Sequence, residues 1–186
     1  MKYIFVFLMM ITFLSSCNSQ KSEFATLFNC NQEIYNSELK TLTDIHKNYS
    51  ISIPNHWKIS YYYDESQSDI YVADTLKPLT STYILNFSNK KGLLLLNEDF
   101  KKKIHDELST NGLKIIRDKK LAKTENFDYY VYSKGIRNQF PYYQIQLYKA
   151  VNKQSFFDVK IEIYGDQQLE NRICEAIHFI ELLQIH

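Results

Sequence analysis

Glycine and proline are scarce in this 186-residue chain, four and three in number, and cysteine occurs only three times. So few glycines leave no backbone nest for a nucleotide phosphate, and neither a Gly-x-Ser-x-Gly elbow nor a His-Glu-x-x-His pair occurs. The histidines, His46, His56, His105, His178 and His186, lie at no i, i+2 or i, i+4 spacing that would set two of them on one metal. Each reads as a solvated side chain, so neither a metal nor a cofactor is expected. An excess of charge is missing as well. Lys and Arg number 22 against 21 Asp and Glu, and residues 1–16 hold one base, Lys2, and no acid, so the remainder is balanced. No basic field exists to hold nucleic acid or to draw the protein onto anionic lipid. Lys101-Lys102-Lys103 and Lys119-Lys120 read as solvated runs. Finally, no apolar run reaches the ~20 residues that a membrane-spanning helix needs.

The longest apolar run, Ile4 to Leu14, follows Lys2 and has the length of a signal-peptide core. It closes with Leu14-Ser15-Ser16-Cys17. Small side chains before a cut suit a signal peptidase, and Cys17 offers the only strong nucleophile nearby. This segment resembles the bacterial lipobox: Leu, two small residues, then Cys. The resemblance implies cleavage between Ser16 and Cys17, a diacylglyceryl group on the Cys17 thiol, and three acyl chains in all. Two chains already anchor a protein stably, so three would hold it permanently. Asn18 is not the Asp that retains lipoproteins in the inner membrane, which favours the outer membrane. Asn18 to Glu23 is polar and unpatterned, a tether. The expected organisation is a signal peptide at 1–16, a lipidated Cys and tether at 17–30, and one domain at 31–186.

Fifteen tyrosines and twelve phenylalanines favour pleated, half-buried surfaces, so sheet should dominate that domain. Strands are expected at Tyr49–Ile53, Trp57–Tyr63, Ile70–Asp74, Ser81–Phe87, Lys114–Ala122, Phe127–Lys134, Tyr142–Val151 and Phe156–Tyr164. Asp64 to Asp69 reads as a polar loop and Lys90-Lys91-Gly92 as a turn. In the last two strands Tyr143, Ile145, Leu147, Phe157, Val159, Ile161 and Ile163 share a face, opposite Gln144, Gln146, Asp158, Lys160 and Glu162. The short link Asn152-Lys153-Gln154 makes this pair antiparallel. Asn97 caps a helix that Phe100, Ile104 and Leu108 mark and Asn111-Gly112 ends. Gly165-Asp166 breaks the last strand and caps a final helix, with Leu169, Ile173, Ala176, Ile177, Ile180 and Leu183 on one face. The fold class is α+β, helices on a mostly antiparallel sheet.

The run Tyr49-Ser50-Ile51-Ser52-Ile53-Pro54-Asn55-His56-Trp57, a strand entering a Pro, a short turn and a Trp, is similar to the opening of PsbP-like domains. The later order of strands and helices fits too, so the resemblance covers residues 40–186. It implies an α/β/α sandwich around an antiparallel sheet and a platform for binding, with no single chemistry attached.

Cys30 and Cys174 form an even pair in an exported chain, which invites a disulfide closing most of the domain. Two buried free thiols are the alternative. Opposite the aliphatic stripe stand Tyr130, Tyr132, Tyr142, Tyr148 and Tyr164. Left open, that face would serve recognition; covered, it would only stiffen the sheet. The function expected is a lipid-anchored, non-enzymatic binding or assembly module of the cell envelope, joined to the membrane through Cys17 and meeting an envelope protein. The alternatives are a toxin-neutralising lipoprotein, and a hydrolase whose dispersed site joins His56 or His178 to a carboxylate.

Overall fold

A computed structural model describes residues 22–30, 38–122 and 126–186. The lipobox, with Ser16 and Cys17, lies outside the described residues. Among the described residues three α-helices, ten strands and a short 3-10 turn at Leu79–Ser81 occur: α1 (Glu23–Leu27), β1 (Leu39–Thr43), β2 (Tyr49–Pro54), β3 (Lys58–Tyr63), β4 (Gln67–Ala73), β5 (Tyr83–Lys91), α2 (Glu98–Thr110), β6 (Lys114–Lys120), β7 (Tyr129–Arg137), β8 (Phe140–Ala150), β9 (Ser155–Tyr164), α3 (Leu169–Glu181) and β10 (Gln184–Ile185).

Seven strands form one sheet in the order β3-β4-β5-β9-β8-β7-β6, and β1-β2-β10 form a second. All the pairs are antiparallel. The bend at Pro54 therefore sends β2 and β3 into different sheets. Tyr49 and Ile51 of β2 join Leu85, Phe87, Val159 and Ile161 of the large sheet in the main core. The two sheets are also tied by a buried hydrogen bond, Tyr49 hydroxyl to the Phe87 carbonyl at 2.7 Å. Helix α3 closes the same near face. Its stripe from Ile173 to Ile180 is buried, and Phe179 meets the Trp57 ring at 5.1 Å.

The aliphatic alternation of β8 and β9 points into this core as expected, with Ile145, Leu147, Phe157, Val159, Ile161 and Ile163 all buried. Helix α2 lies on the far face. Asn97 Oδ1 accepts the Phe100 amide at 2.9 Å, and Gly112 closes the helix with φ +73°. Phe100, Ile104 and Leu108 pack there on Tyr129, Val131, Tyr142 and Tyr148.

Several expectations are corrected. The stretch to residue 30 is not all tether: α1 docks Phe24, Ala25 and Cys30 into the main core. Phe24 and Phe28, one helical turn apart, put two rings on one side of a helix too short for its period to show. Strand β4 starts at Gln67 rather than Ile70, because Gln67, Ser68 and Asp69 pair with Lys90, Asn89 and Ser88 of β5, and buried Asp44 accepts the Ser68 hydroxyl. Strand β5 runs to Lys91, and Gly92 with φ +127° makes the turn. Asp166 does not cap α3; Gln168, at φ 49° and with no side-chain cap bond, precedes it, while Asp166 accepts the Tyr143 hydroxyl at 2.6 Å. Strands β1 and β10 were not expected. Among the described residues, no helix is long and apolar enough to cross a membrane.

Candidate functional site

The five tyrosines expected on one recognition face are split between two. The register pairs Tyr130 with Leu147 and Tyr132 with Ile145, so these two share the aliphatic side. Phe24 and Phe28 of α1 lie against Tyr130 at 5.5 and 6.0 Å, and Phe28 against Tyr132 at 5.5 Å. Tyr142, Tyr148 and Tyr164 point to the far face and are buried in the cluster with α2. No open tyrosine surface results.

Nor are the polar partners on that face free. Lys90 Nζ meets Asp158 Oδ2 at 2.5 Å, and Gln146 Nε2 donates to Asp158 Oδ1 at 3.0 Å. Gln144 donates to Gln146 at 3.2 Å. The Tyr142 hydroxyl is held by Glu162, and Arg137 donates to Glu162 at 3.1 Å while lying 4.4 Å over the Tyr142 ring. The line runs unbroken across β5, β9, β8 and β7, so these side chains satisfy one another. Burial raises the Tyr142 hydroxyl well above its ordinary range, and the Glu162 charge adds to it. Beside this line Asp69 is buried too, and desolvation raises its carboxyl.

Cys30 and Cys174 are joined in a disulfide, their Cα atoms 5.2 Å apart, tying the α1 segment to α3. His56 Nε2 lies 3.6 Å from Asp74 Oδ2, with nearly half the His56 side chain exposed and Lys77 Nζ also 3.6 Å from that oxygen. His105 faces Asp118 at 3.4 Å, and His178 stacks edge-on to Phe179. Among the described residues there is no group of three or more His, Cys, Asp or Glu placed to hold a metal.

Polar groups also gather, among the described residues, around a cleft of about 390 Å³ at one end of the sandwich. His46 and Asn48 come from the β1–β2 turn, Asp64, Ser66, Gln67 and Ser68 from the β3–β4 hairpin, Asn89 and Lys91 from the end of β5, and Asn152, Gln154 and Ser155 from the β8–β9 turn. Local chemistry fixes each wall. Buried Asp44 accepts the Ser68 hydroxyl at 2.7 Å and the His46 amide at 3.3 Å, which joins the first turn to β4. Lys47 takes the left-handed φ of 59° in that turn.

Asp64 folds the hairpin by accepting the Ser66 amide at 2.6 Å, the Ser66 hydroxyl at 2.7 Å and the Gln67 amide at 2.9 Å. Those bonds, the Ser66 hydroxyl first, lower its carboxyl from 3.8 to about 2. The Lys91 amide donates to the Ser66 carbonyl at 2.7 Å and the Gly92 amide to the Gln154 carbonyl at 2.8 Å, clamping the remaining two walls. Asn89 Oδ1, buried in the wall, has no hydrogen-bond partner. The cleft can receive a ligand by hydrogen bonds.

From the sequence, Asp64 to Ser68 read as part of a polar loop, Lys91 as a turn, Asn152 and Gln154 as a short link and His46 as a solvated side chain. Their signal was topological: in an up-and-down meander, alternate turns fall at the same end.

These features define the class as an α+β fold of antiparallel sheets with packed helices, the class expected from the sequence, and the architecture is similar to that of Mog1p. The structure of the Saccharomyces cerevisiae Ran-binding protein Mog1p matches with a TM-score of 0.51 at 7% identity, covering 80% of this chain and 96% of that one. Cyanobacterial PsbP (CyanoP) from Synechocystis sp. PCC 6803 is similar with a TM-score of 0.42 at 10% identity, over 84% and 97% of the two chains. LpqN of Mycobacterium tuberculosis, described as involved in cell envelope biogenesis, has a TM-score of 0.38 at 13% identity, over 80% and 92%. At such identities the likeness is one of fold. No protein-family model matches the chain, and no curated protein matches it in sequence.

Proposed function

We propose that the mature chain is a lipid-anchored, non-enzymatic binding module of the bacterial cell envelope, fixed to the outer membrane by Cys17, which takes its partner into the polar cleft. The observation that carries this reading is the cleft itself: hydrogen-bonding side chains from four separate chain segments converge there. The Leu14-Ser15-Ser16-Cys17 run supports the anchor.

Two measurements separate the parts. Mass spectrometry of the protein from a bacterial host is expected to find acylated Cys17 at the mature terminus, and Cys17→Ala should release the chain from membranes. A photo-crosslinker at Gln154, in the cleft, should give an envelope adduct that the same group at Ile136, on the exposed end of β7, does not. An unmodified Cys17 would remove the anchor, and equal adducts at both positions would remove the cleft.

A further inference from the structure

The large sheet ends in two edges that are treated very differently. At one, β6 carries Lys114, Arg117, Lys119 and Lys120 and a register shift between Ile115 and Arg117. The α1 segment also crosses it: Arg117 donates to the Leu27 carbonyl at 2.9 Å, and Glu23 holds both Lys119 and the Ala122 amide. Lysines, a bulge and cover are the devices by which sheet edges are kept from pairing. The other edge, β3, has none of them beyond Lys58. Among the described residues it pairs only with β4, in an unbroken register from Lys58 to Tyr63. Its three consecutive tyrosines, Tyr61, Tyr62 and Tyr63, are 52%, 48% and 58% exposed.

The hairpin fixes which backbone groups are free. The Asp64 amide donates to the Gln67 carbonyl at 2.9 Å, so Asp64 and Gln67 form a hydrogen-bonded pair. Such pairs alternate along an antiparallel ladder. Tyr62, Ser60 and Lys58 therefore turn their amides and carbonyls toward β4, and Ile59, Tyr61 and Tyr63 turn theirs outward.

We infer that β3 is a self-association edge, pairing antiparallel with β3 of a second copy about a twofold axis at Tyr61, so that two large sheets become one. The charge pattern selects both the occupant and the register. With Tyr61 opposite itself, Ile59 lies opposite Tyr63 of the other copy, and Lys58 lies directly opposite its Asp64. The Asp64 carboxyl is held ionised by its hairpin bonds, and Lys58 and Asp64 fall on the same side of the strand. The opposite-charge pair occurs twice by symmetry, as an isologous interface requires.

Cysteine trapping on the full chain tests this. A hydrogen-bonded antiparallel pair sets Cα atoms about 5.5 Å apart, within disulfide reach. Tyr61→Cys should therefore give a reduction-sensitive dimer under mild oxidant. Ser60→Cys and Tyr62→Cys, each displaced from its own symmetry mate, should stay at the background of the unmodified chain. Tyr61→Pro removes only an outward amide and leaves the β3–β4 ladder intact. By light scattering it should halve the mass of the native chain while keeping the Trp57 fluorescence of the folded state. Equal trapping at all three cysteines, an unchanged mass in Tyr61→Pro, or trapping of Tyr61→Cys on a different protein would each overturn the proposal.

Discussion

Breaking the Cys30–Cys174 bridge tests how the domain is held closed. The two residues are 144 apart in sequence, so the bridge closes nearly the whole domain. The chain-entropy relation, with about 145 residues in the loop, gives roughly 17 cal/mol/K, or about 5 kcal/mol at 25 °C. Residual denatured-state structure reduces such values, so ~3–5 kcal/mol is the expected loss. For a domain of this size each kcal/mol shifts Tm by about 2–4 °C, which places the reduced protein roughly 6–20 °C lower. The Cys30→Ser, Cys174→Ser double variant should match it. Trp57 is the only tryptophan and is buried against Tyr83 and Phe179, so its fluorescence in a urea titration reads the whole core. A midpoint lowered by less than about 1 kcal/mol would refute the reasoning. It would refute it more sharply if protease then clipped residues 22–30 alone, since the bridge would be fastening only α1.

Arg172 is buried in α3 and donates to the carbonyls of Thr82, Tyr164 and Gly165 at 3.0, 2.8 and 2.7 Å; Arg172→Met should cost roughly 2–4 kcal/mol by chemical denaturation, and Arg172→Lys should not rescue it, because a point charge cannot span three acceptors. Tyr49→Phe removes the hydroxyl bond between the sheets and should lower stability by about 1 kcal/mol without altering the far-UV spectrum. Asp64 binds its proton more weakly folded than unfolded, so its contribution is present above its ordinary 3.8 and is lost as pH falls through about 2. Asp64→Asn should therefore lie below the unmodified protein in Tm near neutral pH, and the gap should close between about pH 5 and pH 2; a gap independent of pH would show that the charge is not what the hairpin holds.

Strands β8 and β9 were legible because their aliphatic side chains lie buried on one face. Alternation in Phe157 to Ile163 and in Tyr143 to Leu147 states which side faces the main core, and a one-residue slip would move all of those side chains to the far face and bring the polar row Gln144, Gln146 and Asp158 into that core. Helix α2 was legible from Asn97, its apolar period and Gly112. Strand β7 was legible as a strand but its facing was not, because Tyr129, Tyr130, Val131 and Tyr132 are apolar on both sides, and the two faces are covered by different elements, α2 and α1. Parity there comes only from pairing with β8, so Tyr130 and Tyr132 were placed with the wrong neighbours. α1 escaped notice because five helical residues carry too little period to stand out from a tether.

The cleft was illegible for a different reason. Its residues come from near positions 46, 66, 90 and 153, and none of these segments carries a pattern that distinguishes a binding wall from a solvated turn. What brings them together is the alternation of the meander: each antiparallel connection returns the chain to one of two ends. The β1–β2 turn, the β3–β4 hairpin, the end of β5 and the β8–β9 turn then share an end through pairings distant in sequence, as between Lys91 and Ser155. A motif search reads neighbours in sequence, whereas this site exists only as neighbours in register. Polarity at every turn is therefore compatible with two molecules, one with inert loops and one with a lined cavity.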